Sequence, residues 1–233
     1  VPHFPSIHNI GMNATTVEAF GKYTGREFAY GEYLFLLRNL ANKIFEIDEK
    51  ERKQIEGKIA KKAGIDDMTK AIESYQKLFG DKFSEDVNDQ LSLIIKGASS
   101  RYCDSAIDVD NSLSIMVQVM VYGNWGDNSY AGNYYTRNII TGDPEIQGNF
   151  GQSEFDIQEG KAKDISKIEK KHYTHFTEIA HKIEDNFKEI REIKFTIEEG
   201  DFWLVEQKEV DDKSTQSQIK ALLDLTKRKI VSE

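Results

Sequence analysis

The chain has one cysteine, three prolines and no uninterrupted apolar run of membrane length. A lone Cys103 cannot close an internal disulfide and suits a reducing compartment. It reads as a small side chain rather than a nucleophile. A membrane helix requires roughly 20 apolar residues in succession, and none occurs. The opening VPHFPSIH lacks the basic and apolar regions of a signal peptide. These absences predict a cytoplasmic protein with no membrane partner. Positive charge is also scarce, with 31 Lys and Arg against 40 Asp and Glu and a net charge of −9. Phosphate-backbone recognition needs a basic face, so nucleic acid is disfavoured as a partner. A nucleotide is not, because a local cluster of lysines and amides can hold one. There is no Gly-Lys-Ser/Thr phosphate loop and no Ser-His-Asp arrangement. The first residue is Val1 rather than Met, so the chain reads as an excised domain, a processed product or part of a longer protein.

What is present describes a globular molecule. Its 233 residues, 39% hydrophobic and 30% charged, suffice for one large domain or two small ones. Residues 14–97 read as helical. Thr15-x-x-Glu18 has the form of a capping box. Phe28, Tyr33, Leu36, Leu37, Leu40, Ile44 and Phe45 recur at threes and fours, marking one apolar helix face. Asp66 or Asp67 can cap a helix that buries Ala71, Ile72, Tyr75, Leu78 and Phe79 and stops at Gly80. Ser84, with Glu85 and Asp86 behind it, starts another helix. A strand-rich part follows from Ser114 to about Phe155. A long helix over about 166–190 turns Ile168, Tyr173, Phe176, Ile179, Ile183, Phe187 and Ile190 inward. A hairpin covers 193–207, and 211–233 form a linker and polar C-terminal helix. The fold class is therefore α+β: a helical subdomain at 14–97, then a β-rich subdomain with antiparallel strands at 98–210.

The most informative stretch is MVQVMVYGNWGDNSYAGNYYTRNIITG, Met116 to Gly142. Val117, Val119 and Val121 alternate with Gln118, Met120 and Tyr122, as a strand requires. Gly123, Gly126 and Gly132 then punctuate a loop with Asn124, Asp127, Asn128 and Ser129 between them. Glycine lets backbone amides approach an anion, which is how a loop cradles phosphate. A polar hairpin without chemistry has the same composition.

The order of these residues resembles the ATP-binding domain of the pyruvate phosphate dikinase family. There a Gln-x-Met-Val strand leads into a Gly-Asn-x-Gly-x-Asn-Ser-Gly-Thr-Gly loop and an aromatic-Thr-Arg-Asn strand. Gln118, Met120, Val121, Gly123, Asn124, Gly126, Asn128, Ser129, Gly132, Thr136, Arg137, Asn138, Thr141 and Gly142 keep that order. HNIGMN (His8 to Asn13), REFAYGEYLFLL (Arg26 to Leu37), GDKFSEDVNDQL (Gly80 to Leu91) and IKFTIEEGDFWLVEQK (Ile193 to Lys208) resemble further family segments. The resemblance implies an ATP-grasp-like nucleotide-binding domain, with Gln118, Met120, Val121, Gly123, Ser129 and Gly132 as cofactor-binding positions. It implies Mg-ATP as cofactor and adenine nucleotide as ligand. Other domains, or a partner protein, would supply the family's phosphohistidine and pyruvate-binding parts. The N-terminal lysine and arginine of the family have no counterpart here.

At the charge-bearing positions the chain departs from the family. The glutamate that faces metal and phosphates is Lys194, the glutamine is Glu206 and the arginine is Lys208. Lysine cannot ligate Mg²⁺. Glu206 could supply the lost carboxylate as a metal ligand, or it could form a cross-strand ion pair with Lys194. The Ser-Gly-Thr-Gly turn has become Ser129-Tyr130-Ala131-Gly132, and Tyr130 would obstruct a close approach if its φ were positive. His172-x-x-His175 reads as surface histidines, Trp125 as a residue able to stack on a base and Trp203 as core. These departures predict a degenerate site that binds Mg-ATP weakly and does not transfer phosphate alone. A working dikinase (ATP, pyruvate and phosphate) completed by other segments is one alternative. A non-catalytic interaction or scaffold protein is another.

Overall fold

The computed structural model describes residues 6–57, 64–104, 114–152 and 161–231, without the side chains of 101–104. Parts of the sequence reading therefore lie outside the described residues: the Cys103 side chain, the end of the strand-rich part at 153–155 and the last two residues of the C-terminal segment. Among the described residues are seven α-helices and one five-stranded antiparallel sheet, an α+β fold. The chain divides into two compact units between Met120 and Val121.

The first unit holds α1 (Ala14–Thr24), α2 (Arg26–Lys43), α3 (Glu49–Glu56), α4 (Ile65–Phe79) and α5 (Val87–Asp104). The predicted stripe on α2 is its buried face: Tyr33, Leu36, Leu37 and Leu40 join Ala71, Ile72, Tyr75 and Phe79 of α4 in one core cluster. Burying each such leucine contributes about 1.5–3 kcal/mol. The helix starts differ from expectation by a few residues. The capping box belongs to Asn13 and Thr16, because Asn13 accepts from the amides of Thr15 and Thr16 while its own amide donates to the Thr16 hydroxyl. Gly64, not Asp66 or Asp67, caps α4; the two aspartates lie in the first turn, where they still favour the helix dipole. Asp86, not Ser84, accepts from the first amides of α5, those of Asn88 and Asp89. Gly80 ends α4 as predicted, with φ of 53°.

Two polar side chains, buried Gln90 and exposed Glu85, tie the N-terminal turn to these helices. Gln90 is 1% exposed; its carbonyl oxygen accepts from the Gly11 amide at 2.9 Å and its amide donates to Met12 O at 3.1 Å. Glu85 accepts from the Ala14 amide and the Tyr33 hydroxyl. Burial, with the Glu85 carboxylate beside it, raises the pKa of the Tyr33 phenol.

The second unit holds β1 (Tyr130–Tyr135), β2 (Gln147–Gly151), β3 (Lys163–Asp164), α6 (Lys170–Phe187), β4 (Arg191–Glu198), β5 (Asp201–Glu209) and α7 (Thr215–Lys227). The sheet order is β3-β2-β1-β4-β5. Alternation along the strands turns Tyr134, Phe150, Ile193, Phe195 and Ile197 toward α6. Phe176 of α6, fully buried, stacks on Tyr134 at 5.0 Å and meets Phe195 at 4.5 Å. The predicted hairpin is present and turns at Glu199-Gly200, both with positive φ, the geometry that matches strand twist.

Three expectations need correction. Ser114 to Tyr122 does not form a strand: the segment has no regular structure, and Met116, Val117 and Val119 are exposed. A strand exists only where a neighbour exchanges ladder hydrogen bonds, and among the described residues none pairs with this one. Phe187 is exposed; the buried line of α6 is His172, Phe176, Ala180 and Glu184. That spacing of four is helical, but two of its members are polar, so an apolar count passes over them. Trp203 is 46% exposed rather than core.

Glu184 is buried because it meets Arg137, each being 2% exposed. Arg137 Nε donates to Glu184 Oε1 and Nη2 to Oε2, both at 2.8 Å. Nη1 donates to Gly142 O and to Asp224 of α7, each at 3.1 Å. The Thr136 hydroxyl donates to Glu184 Oε1 at 2.8 Å and accepts from the Arg191 amide. One guanidinium thus fastens the end of β1, α6, α7 and the turn after Asn138 together. A fork-shaped cation facing a carboxylate bidentately is the arrangement that tolerates such burial.

Candidate functional site

The strand register fixes what the sheet presents on the side away from α6. Asn133 lies opposite Lys194, Lys194 opposite Glu206, and Glu192 opposite Lys208. These five polar side chains share one face because each strand alternates. The three positions singled out from sequence, Lys194, Glu206 and Lys208, are brought together there. Trp203, opposite Thr196, stands on the same face.

Every charge in this group has a partner. Lys194 Nζ is 3.2 Å from Glu206 Oε2, with the two side chains 47% and 31% exposed. Lys208 Nζ is 3.1 Å from Glu192 Oε2. Asn133 Nδ2 donates to the other Glu192 oxygen at 2.7 Å. The bond to Glu192 raises the Lys208 pKa. The sequence reading missed Glu192. Its signal was available: it lies two residues before Lys194 and so shares its face. The half-exposed Lys194–Glu206 pair is worth about 0–1 kcal/mol, whereas Glu192, 12% exposed and also bonded by Asn133, holds Lys208 more firmly.

The glycine loop from Tyr122 to Ser129 is fastened to the β4–β5 turn. The Tyr122 amide donates to the Glu198 carboxylate at 2.9 Å. Asn128 O accepts from the Gly200 amide and Ser129 Oγ accepts from the Glu199 amide, each at 2.9 Å. Ser129 is fully buried. Its hydroxyl oxygen therefore holds the turn, with the hydroxyl proton left to donate. Gly123 and Gly132 are needed by packing: a Cβ would lie 2.7 Å from Tyr130 O at the first and 2.3 Å from Asn149 O at the second. Tyr130 belongs to β1, without positive φ, and packs edge-on to Phe150 at 5.4 Å. Its side chain therefore does not strain the turn.

Gln118 and Met120 lie in the exposed segment that ends the first unit, and Val121, half-buried, opens the second. Among the described residues no group of three or more His, Cys, Asp or Glu is arranged to hold a metal. Glu206 faces a lysine. His175 is exposed near Glu178, whereas His172 is buried, with Nε2 lacking a hydrogen bond, and burial lowers its pKa. The reading of both as surface histidines therefore fails for His172.

No model of a known protein family matches the chain. Individual proteins do. Pyruvate, phosphate dikinase of Treponema pallidum (strain Nichols) is 34% identical over 99% of this chain and 27% of its own length. The enzyme of that name from Clostridium symbiosum is 27% identical over 86% of this chain and 26% of its length. The chloroplastic one from Mesembryanthemum crystallinum is 27% identical over 97% of this chain and 27% of its length. Spanning about a quarter of the length of these relatives, the chain belongs to the pyruvate, phosphate dikinase family.

Proposed function

We propose that this chain is a nucleotide-binding portion of a pyruvate, phosphate dikinase-like protein whose charge set has drifted away from phosphoryl transfer. It binds Mg-ATP weakly through the Gln118–Val121 segment, the Gly123–Gly132 loop and the polar sheet face. It does not transfer phosphate alone. The observation that carries the reading is the Lys194–Glu206 and Lys208–Glu192 pairing. Phosphoryl transfer needs carboxylates that hold metal and cations that hold phosphate. On this face each lysine is instead committed to a carboxylate of the same hairpin. Glu192 and Glu206 have the oxygen donors Mg²⁺ requires, and Lys194 and Lys208 have the charge a polyphosphate requires. A nucleotide gains these groups only by opening both pairs, which keeps affinity low.

The second reading is a working phosphotransferase completed by other segments. It is favoured by Glu192, which keeps a carboxylate on the face although the family glutamate position holds Lys194. Calorimetric titration with Mg·ATP, alongside an assay of pyruvate- and phosphate-dependent ATP consumption, separates the two. Weak binding without turnover is expected. Tight Mg·ATP binding by the purified chain, or ATP-to-AMP turnover above a contaminant control, would overturn the proposal in favour of the second reading.

A further inference from the structure

Two glutamates of the turn between β4 and β5 lie on the glycine loop. Glu198 accepts from the Tyr122 amide at 2.9 Å. Glu199 places its carboxylate over Gly126: a Cβ on that glycine would lie 1.6 Å from Glu199 Oε1. Only a residue without a side chain leaves room for that oxygen. The loop and the turn are held together independently of the Glu199 carboxylate, because the Glu199 amide donates to Ser129 Oγ and the Gly200 amide donates to Asn128 O. Glu199 itself has φ of 49°, in the left-handed region. A residue with a Cβ is disfavoured there, and Gly or Asn fills such a position more easily. The turn alone therefore gives no reason for a glutamate at 199.

We infer that Glu198 and Glu199 are an internal anion seated on the glycine loop, an autoinhibitory contact that holds the loop closed to the polyphosphate of a nucleotide. The inference rests on the reading of the Gly123–Gly132 loop as a nucleotide-binding element and adds what regulates it. A glycine loop holds phosphate by aiming backbone N–H groups at it. Here the amide that opens the loop is already taken by Glu198, and the space over Gly126 is filled by a carboxylate. A polyphosphate arriving at the loop meets two like charges and enters by displacing the Glu199 side chain. Glu199 is exposed, so that side chain can swing into water without unpacking a core. A like charge about 4 Å away in water weakens an equilibrium roughly fivefold, and a polyphosphate carries several charges. The block is therefore graded rather than absolute. It differs in kind from the Lys194–Glu206 and Lys208–Glu192 pairs farther along the hairpin. Those withhold cations from a nucleotide, whereas this one sets an anion in its path.

The test is calorimetric titration of Mg·ATP, and separately of inorganic tripolyphosphate, into the full chain and into Glu199→Gln, Glu199→Gly and Glu209→Gln. Gln keeps the size of the side chain and removes its charge. Gly removes the side chain and relieves the positive φ. Glu209, at the far end of β5, matches the change in net charge away from the loop. Both Glu199 variants should bind each ligand about fivefold or more tightly than the wild type, or detectably where the wild type is silent. Glu209→Gln should behave as the wild type does. The Glu199 variants should melt no lower than the wild type, since Ser129 and Asn128 still hold the turn. Glu199 variants that gain no affinity would overturn the inference, as would an equal gain by Glu209→Gln. A gain by Glu199→Gly alone would overturn it too, because bulk rather than charge would then close the loop. A wild type that binds Mg·ATP while the Glu199 variants gain nothing sinks this inference and leaves the reading of the loop standing. If the Glu199 variants and a variant with Lys194→Glu, Glu206→Gln and Lys208→Arg are all silent to Mg·ATP, that reading fails with it.

Discussion

Two sets of charged residues in the second unit answer the same chemistry in opposite ways. Around Arg137 one guanidinium and Glu184, each 2% exposed, meet in a two-pronged contact completed by Thr136, Asp224 and Gly142 O. On the sheet face Lys194 and Glu206 meet through one contact, 47% and 31% exposed. The first set consists largely of residues that carry the family resemblance; the second occupies positions where the chain departs from it. Burial explains the contrast. An unpaired charge inside a fold is costly, so neither member of the Arg137 pair can change alone. An exposed pair is nearly neutral in energy, so exchanging Glu for Lys on one strand and gaining Glu on the next leaves the fold intact. Fold and chemistry are thus uncoupled in this unit, and a resemblance strong enough to fix the family says little about the site.

The contrast can be broken at several points, most forcefully at the buried end. Glu184→Ala strands Arg137 with Asp224 as its one remaining carboxylate and should cost about 3–5 kcal/mol in urea denaturation. A loss below about 1 kcal/mol would mean that the Arg137 cluster does not hold the unit together. Gly132→Ala pushes a methyl group against the Asn149 carbonyl oxygen of β2 and should cost about 1–3 kcal/mol by overpacking, measured in the same way. At the exposed end, Lys194→Ala should change stability by about 0–1 kcal/mol. A loss comparable to that of Glu184→Ala would erase the distinction between the two sets.

His172 offers a pH test of the same principle. Burial lowers its pKa in the fold below the unfolded value of about 6.5. Below that value the unfolded chain takes up a proton that the folded chain resists. The contribution is therefore present above about pH 6.5 and is lost as pH falls toward the lowered folded value. Replacing His172 with Phe should flatten this part of the stability profile measured by thermal unfolding between pH 7 and 5. An unchanged slope would show that other groups set it.

Much of the fold was legible because it follows from period and turn chemistry. The α2 stripe at Tyr33, Leu36, Leu37 and Leu40, the stop at Gly80 and the hairpin around Glu199-Gly200 all appear where the pattern places them. The helix starts at Asn13, Gly64 and Asp86 were displaced because several capping residues lie within a turn of each other, and only tertiary contacts choose among them. The segment from Ser114 to Tyr122 reads as a strand by alternation, yet pairing is a non-local property that alternation cannot guarantee. At the candidate site, strand parity was enough to bring Lys194, Glu206 and Lys208 together. The same parity would have found Glu192; the buried polar face of α6 and the role of Ser129 beneath the turn were not legible, since each depends on a partner distant in sequence.

If, as proposed, the hairpin charges set nucleotide affinity, reverting them should recover binding without disturbing the fold. The most direct test is calorimetric titration of Mg·ATP into the wild type and into the triple variant Lys194→Glu, Glu206→Gln, Lys208→Arg. The variant restores a carboxylate, a neutral amide and a bidentate cation, and each charge-assisted contact recovered is worth about 1.5–3 kcal/mol. Weak or undetectable heat is expected from the wild type, and a measurable, modest affinity from a variant of unchanged thermal stability. Tight binding by the wild type, or a folded variant that stays silent to Mg·ATP, would contradict the proposal.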